Sequence, residues 1–231
     1  MSGGRPGVLV LVAGTGTEVG KTWVSARLLE AWRRAGLTVA ARKPAQSFTA
    51  GVGPTDAEVL AAATGERPHE VCLPARTYEV ALAPPMAAGA LGLAPPTMAE
   101  LVDELSWSAG VDVGVVETAG GVRSPQADDG DAVDLARALD PDVVVLVAHA
   151  GLGTINDVRL SVGALAEAAR PGRGAVPVVV VLNRYDSAID VHGRNQRWLA
   201  QRDGLDVVRA NATGLASLAA RLATPARAGA G

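Results

Sequence analysis

Short continuous apolar runs alternate along the chain with stretches whose apolar positions recur every three or four residues. The runs at 8–13 (VLVLVA), 38–42, 111–117, 143–148 and 176–182 have the length and Val/Leu content of buried strands, and 206–209 is a weaker one. Helical periodicity covers 22–35, where Val24, Leu28, Leu29 and Trp32 share a face and Gly36 follows as a stop. It recurs at 56–64, 131–139, 154–169, 190–202 and 214–222, and at 97–107, where Thr97 and Glu100 have the spacing of a capping box. Residues 66–96 are Pro-rich and read as an irregular surface excursion with one short helix at 86–91. Strands that alternate with helices predict an α/β fold, a mostly parallel sheet with helices on both faces. No linker or repeat interrupts the pattern, so residues 1–231 read as one domain, with 225–231 as a frayed tail.

Composition refines this picture. Apolar residues make up 48% of the chain but aromatics only 3%, so the core must be aliphatic, as in a doubly covered parallel sheet. The formal net charge of −3 gives no basic footprint for nucleic acid. The one cysteine, Cys72, leaves no internal disulfide and reads as a packed hydrophobe. No apolar run approaches the ~20 residues of a membrane span, and the first residues lack a leader pattern, so a cytoplasmic location is expected. Only two lysines, Lys21 and Lys43, stand against 19 arginines, which marks both as places where a compact ammonium is needed.

The first candidate chemistry lies between the first strand and its helix: Gly14-Thr15-Gly16-Thr17-Glu18-Val19-Gly20-Lys21-Thr22. Strand, glycine-rich loop and Gly-Lys-Thr opening a helix form the context of a phosphate-binding loop, so the fold class sharpens to a three-layer P-loop NTPase. Backbone N–H groups from Gly16 to Thr22 would cradle phosphates, Lys21 would reach the β- and γ-phosphates, and the Thr22 hydroxyl would ligate Mg2+. Glu18 in such a loop either turns to solvent or is compensated by metal or a cationic substrate.

Further candidates lie just after other strands, where ligands of open α/β sheets bind. Glu117 ends one strand and faces the expected magnesium. Asp56, which starts a helix, is either a third metal ligand or a plain N-cap. Lys43 and Ser47 could meet an anion beside the γ-phosphate. The small residues that follow Glu117, from Thr118 on, permit close approach of ligand. Gly151, Leu152, Gly153 and Asn156 sit where a helix start offers free N–H groups to a carboxylate, and Asn183 could read a nucleobase edge.

Taken in order, these motifs resemble the dethiobiotin synthetase family. GTGTEVGKT is similar to that family's GTDTEVGKT loop, Lys43-Pro44-Ala45-Gln46-Ser47 to its K-P-x-x-S/T, and Val116-Glu117-Thr118-Ala119-Gly120-Gly121 to its V-E-G-A-G-G. Asp134-Leu135-Ala136 and the Gly-Leu-Gly-Thr-Ile-Asn stretch follow in the same order. The resemblance implies ATP as the nucleotide and closure of a urea ring on 7,8-diaminononanoate with carbon dioxide, through a carbamate and a carbamic–phosphoric anhydride. It also implies a homodimer, Thr17 and Glu18 at the active site, and residues 151–156 reaching the substrate carboxylate across the dimer. Gly16, Phe48 and Thr118 depart from the pattern, standing where the family has Asp, Gly and Gly. The competing readings are a related P-loop ligase with another carboxylate or amine, and a ParA/MinD-like ATPase switch.

Overall fold

The computed structural model describes residues 4–169 and 174–223, so the expected frayed tail lies outside the described residues. In chain order the elements are β1 (Val8–Gly14), α1 (Lys21–Arg34), β2 (Val39–Arg42), β3 (Gln46–Ser47), α2 (Asp56–Thr64), α3 (Pro68–Val71) and β4 (Thr77–Tyr78). They continue with α4 (Pro84–Ala90), α5 (Met98–Asp103), β5 (Val113–Glu117), α6 (Ala132–Leu139) and β6 (Val143–His149). The last are α7 (Thr154–Ala166), β7 (Val178–Asn183), α8 (Asp190–Arg197), β8 (Asp206–Arg209) and α9 (Ala212–Leu222).

The main sheet has six strands in the order β2-β5-β1-β6-β7-β8, and each of its pairings is parallel. Side chains alternate across it. Val8, Val10 and Val12 pack with Val24, Leu28, Leu29 and Trp32 of α1 and with α2 and α9, while Leu9, Leu11 and Ala13 pack with α5, α6 and α7. This is the expected three-layer architecture, because a strand buried on both faces needs a helix layer on each. The Trp32 indole donates to the Ala219 carbonyl at 2.8 Å and ties α1 to α9 within one layer.

Local differences have local causes. The helix expected at 97–107 keeps its Thr97–Glu100 capping box but stops at Asp103. Beyond it the Ser106 carbonyl accepts from Arg42, and the Trp107 ring lies 4.8 Å from the Arg42 guanidinium, so tertiary contacts to the edge strand override the helical pattern. The short helix of the Pro-rich segment spans Pro84–Ala90, with prolines in its first turn where no N–H is needed. The segment also forms α3 and β4, which pairs in parallel with β3 over two residues, neither legible from periodicity. The last turn of the 190–202 helix, Trp198–Arg202, widens to a π-helix.

Candidate active site

Where helices begin decides where anions can bind. Helices α2, α5, α6 and α9 are capped by the side chains of Thr55, Thr97, Asp131 and Asn211. Helix α1 instead starts from Gly20 in the left-handed region (φ 94°) with no side-chain cap, so its first N–H groups point into the loop unsatisfied by any side chain. That is the electrostatic basis of a phosphate site. Helix α7 begins likewise from left-handed Gly153 with no side-chain cap.

The loop is held from outside. The Asn183 amide donates to the Val19 carbonyl at 2.9 Å and presses on Gly20 so closely that a Cβ there would sit 2.0 Å from Asn183 Nδ2. Position 20 therefore excludes every side chain, by conformation and by contact. Gly20→Ala is expected to weaken nucleotide binding at least tenfold and to cost about 1–3 kcal/mol of stability. Calorimetric nucleotide titration and urea unfolding check this, and unaltered affinity would show that Asn183 does not set the loop.

Lys21 is buried and donates to the carbonyls of Gly16 (3.0 Å) and Gly120 (2.7 Å), which aims it across the loop. Burial, with repulsion from Lys43, lowers its pKa to about 8. Lys43 is also buried, and its ammonium lies 2.8 Å from both Glu117 Oε1 and Asp56 Oδ2, and 3.1 Å from the Thr118 carbonyl. Burial alone would lower its pKa, but the two carboxylates outweigh that and hold it above the ordinary lysine value. Asp56 shows the converse: burial would raise its pKa, and Lys43 with the Thr22 hydroxyl brings it below the usual carboxylate range.

Thr22 Oγ1 lies 2.6 Å from Asp56 Oδ1 and 2.9 Å from Glu117 Oε1. A hydroxyl carries one proton and can satisfy one of these acceptors at a time, so three hard oxygens converge on the cleft side of Lys43, which neutralises part of their charge. Such a set suits magnesium. The N-cap reading of Asp56 is corrected here. Thr55 is the cap, bonded reciprocally with Glu58, which leaves the Asp56 side chain to face Thr22 and Lys43.

Thr17, Glu18, Gly20, Lys21, Thr22, Lys43, Ser47 and Asp56 line one cleft of about 670 Å³, with Phe48 on its wall. Gly16 lies on a neighbouring cleft toward α7. Thr118 departs from the expected substrate contact: its side chain is wholly buried, and the residue takes part through its carbonyl, on Lys43. Gly151, Leu152, Gly153 and Asn156 do not line the phosphate-loop cleft; they stand at the start of α7, with Leu152 90% exposed. The nucleobase reading of Asn183 meets a side chain whose NH2 already serves the loop.

Three supporting residues went unread in the sequence. The Ser25 hydroxyl donates to Glu117 Oε2 at 2.6 Å; its spacing of three from Thr22 puts both hydroxyls on one helix face. Gln126 clamps the turn after Glu117 by accepting from Ala119 N–H (2.8 Å) and donating to its carbonyl (2.7 Å). Gln46 joins β3 to α2, accepting from Ala57 N–H at 3.0 Å. Ser25 alone carried a periodic signal; the glutamines depend on loop closure.

A family model described as an AAA domain matches residues 9–211. Among curated proteins, the ATP-dependent dethiobiotin synthetase BioD of Rhodococcus jostii is 42% identical over 170 residues, 73% of this chain and 72% of that one. The protein of the same name from Haloferax mediterranei is 38% identical over 204 residues, 85% of this chain and 80% of that one. Among solved structures, the signal recognition particle receptor FtsY of Elizabethkingia anophelis superposes with a TM-score of 0.51 at 15% identity, covering 94% of this chain and 67% of that one. That likeness supports the fold alone.

Proposed function

This chain belongs to the dethiobiotin synthetase family of P-loop proteins, and from that premise we propose how its own residues carry the reaction. It is an ATP-dependent ligase that forms carbon–nitrogen bonds, closing the ureido ring of dethiobiotin from 7,8-diaminononanoate and carbon dioxide. The observation that carries the assignment of residues is the meeting of Lys21, Thr22, Lys43 and Asp56 in one cleft at the uncapped start of α1, with Glu117 behind them.

In this reading one amine of the substrate takes up carbon dioxide as a carbamate. A carbamate oxygen attacks the γ-phosphorus of ATP, ADP leaves, and a carbamic–phosphoric anhydride results. The second amine then attacks the carbonyl carbon, expelling phosphate and closing the ring. No protein nucleophile is needed; the chain supplies position and charge. Lys21 and the loop N–H groups hold the phosphates. Lys43, kept charged by Glu117 and Asp56, neutralises the carbamate as it approaches. Thr22, Asp56 and Glu117 would hold magnesium, which when bound would screen the β- and γ-phosphate oxygens. Glu18 and Ser47 line the same cleft, and in this reading they stand beside the diamine.

The active unit in this reading is a homodimer in the cytoplasm, in which residues 151–156 of one copy meet the substrate carboxylate held by the other. The start of α7, which has no side-chain cap, and the exposed Leu152 support that arrangement. Among the described residues no helix is long and apolar enough to cross a membrane.

Incubation with ATP, magnesium, bicarbonate and the diamine is expected to give ADP and dethiobiotin in equal amounts. Glu117→Gln is expected to move the magnesium titration to higher concentration. ATP hydrolysis independent of the diamine, or none in its presence, would overturn the synthetase reading; an unmoved titration would remove Glu117 from the metal set.

A further inference from the structure

Helix α8 docks without an apolar face: its buried residues are His192 and Asn195. Burying polar groups is unfavourable unless each finds a partner, so a helix held this way is placed by its hydrogen bonds. Three residues apart, the two side chains share one face of α8 and meet the loop between β6 and α7. Asn195 Nδ2 donates to two consecutive carbonyls of that loop, Ala150 at 2.9 Å and Gly151 at 2.7 Å. The carbonyl before them, on His149, accepts from the buried Thr154 hydroxyl at 2.5 Å. His192 Nδ1 accepts from the Asp186 N–H at 3.0 Å, and its Nε2 faces Gly151, where an added Cβ would lie 3.9 Å away.

A trans peptide is planar, so its C=O and the following N–H point in opposite directions. With the Ala150 and Gly151 carbonyls drawn toward α8, the Gly151 and Leu152 N–H groups are aimed away from it. Neither N–H makes a hydrogen bond among the described residues, and Leu152 stands in solvent. Gly153 then turns left-handed (φ 89°) into α7. Helix geometry alone would hold this loop weakly, since the Thr154 N–H, the other donor to the Gly151 carbonyl, is 3.5 Å from it.

We propose that Asn195 is a positioning residue for the ligase reaction: by holding the Ala150 and Gly151 carbonyls, it presents the Gly151 and Leu152 N–H groups to the carboxylate of the diamine. The role rests on the reading above, in which residues 151–156 meet that carboxylate across the dimer. A loop free to turn would also present carbonyls there, and a carbonyl facing a carboxylate replaces attraction by repulsion. Asparagine suits the task because its NH2 offers two protons, one for each carbonyl, whereas an ionised aspartate of the same shape offers none.

The test compares steady-state kinetics of wild type, Asn195→Ala and Asn195→Asp on two substrates. One is 7,8-diaminononanoate; the other is 2,3-diaminononane, which ends in a methyl group where the first has its carboxylate. In both variants the KM for diaminononanoate is expected to rise about tenfold or more, the worth of a hydrogen bond to a charged group, with kcat and the ATP KM near wild type. Kinetics on 2,3-diaminononane should be unchanged, so the preference for the acid shrinks. Loss of packing alone would not single out the substrate that carries a carboxylate. Asn195→Asp keeps the side-chain volume and decides the matter should the alanine variant fail to fold. An unmoved KM for diaminononanoate in either variant, or an equal rise for both substrates, would overturn the role of Asn195 and leave the carboxylate reading in place. Wild type that does not distinguish the two substrates, or turns over neither, would instead overturn the carboxylate reading and the role of Asn195 with it.

Discussion

Lys43→Met is expected to reduce turnover by at least a thousandfold and to lower the unfolding free energy by about 3–5 kcal/mol, the usual cost of leaving one charge of a buried pair alone. Lys43 is 2% exposed and Glu117 is fully buried. Without the ammonium, Glu117 keeps the hydroxyls of Thr22 and Ser25, which donate hydrogen bonds but carry no charge. Asp56 loses its ion pair at the same time. Because its folded-state pKa is depressed, Asp56 contributes stability that is present above the ordinary carboxylate pKa near ~4 and is lost as pH falls through its lower folded value. That acid limb should flatten in the variant. The double variant Lys43→Met/Glu117→Gln should recover most of the stability and none of the turnover, which a urea-unfolding cycle beside steady-state kinetics would read. Turnover within tenfold of wild type in the single variant would remove Lys43 from the reaction.

Periodicity made the three layers legible because a parallel sheet buries each strand on both faces, and continuous Val/Leu runs have few other uses. The phosphate loop was legible because its chemistry is local: strand, glycines, lysine and hydroxyl are contiguous. Glu117 and Lys43 could be named, each at the carboxyl end of a strand, but their ion pair could not. It joins Glu117, the last residue of β5, to Lys43, the residue after β2, and it depends on those two strands being neighbours, with Arg42 beside Val116.

Asp56 shows the limit differently. A Thr-Asp pair at a helix start offers two capping residues, and sequence alone does not choose between them. The capping box of Thr55 with Glu58 decides it and frees the aspartate. Thr118 fails for a related reason. The pleat continues one residue past β5, where the Thr118 N–H donates to the Val12 carbonyl, so Thr118 turns away from Glu117 and a side chain expected beside substrate becomes wholly buried. The β3–β4 ladder and the early stop of α5 rest on long-range contacts with no periodic trace.

The two lysines, alike in sequence, should respond oppositely to removal. Lys21→Met is expected to reduce turnover by at least a thousandfold, as Lys43→Met does, but to leave the ligand-free protein about as stable as wild type at pH 7. Among the described residues Lys21 makes no ion pair; it sits on two carbonyls, and burial lowers its pKa to about 8. A folded pKa below the ordinary value of 10.5 means that between pH 8 and 10.5 the unfolded chain binds more protons, so wild-type stability rises with pH through that window. Lys21→Met should lack this rise. Nucleotide binding carries the opposite sign: triphosphate prefers the charged ammonium, so wild-type affinity should fall as pH passes about 8, by up to ~10-fold per unit, while the variant binds weakly and without that dependence. Calorimetry from pH 7 to 9.5 in buffers of different ionisation enthalpy would show proton uptake on binding above pH 8 in wild type alone. Equal proton uptake in Lys21→Met would place the titrating group elsewhere. A stability loss matching that of Lys43→Met would make Lys21 a structural cation, held by its carbonyls for the fold and not for the phosphate.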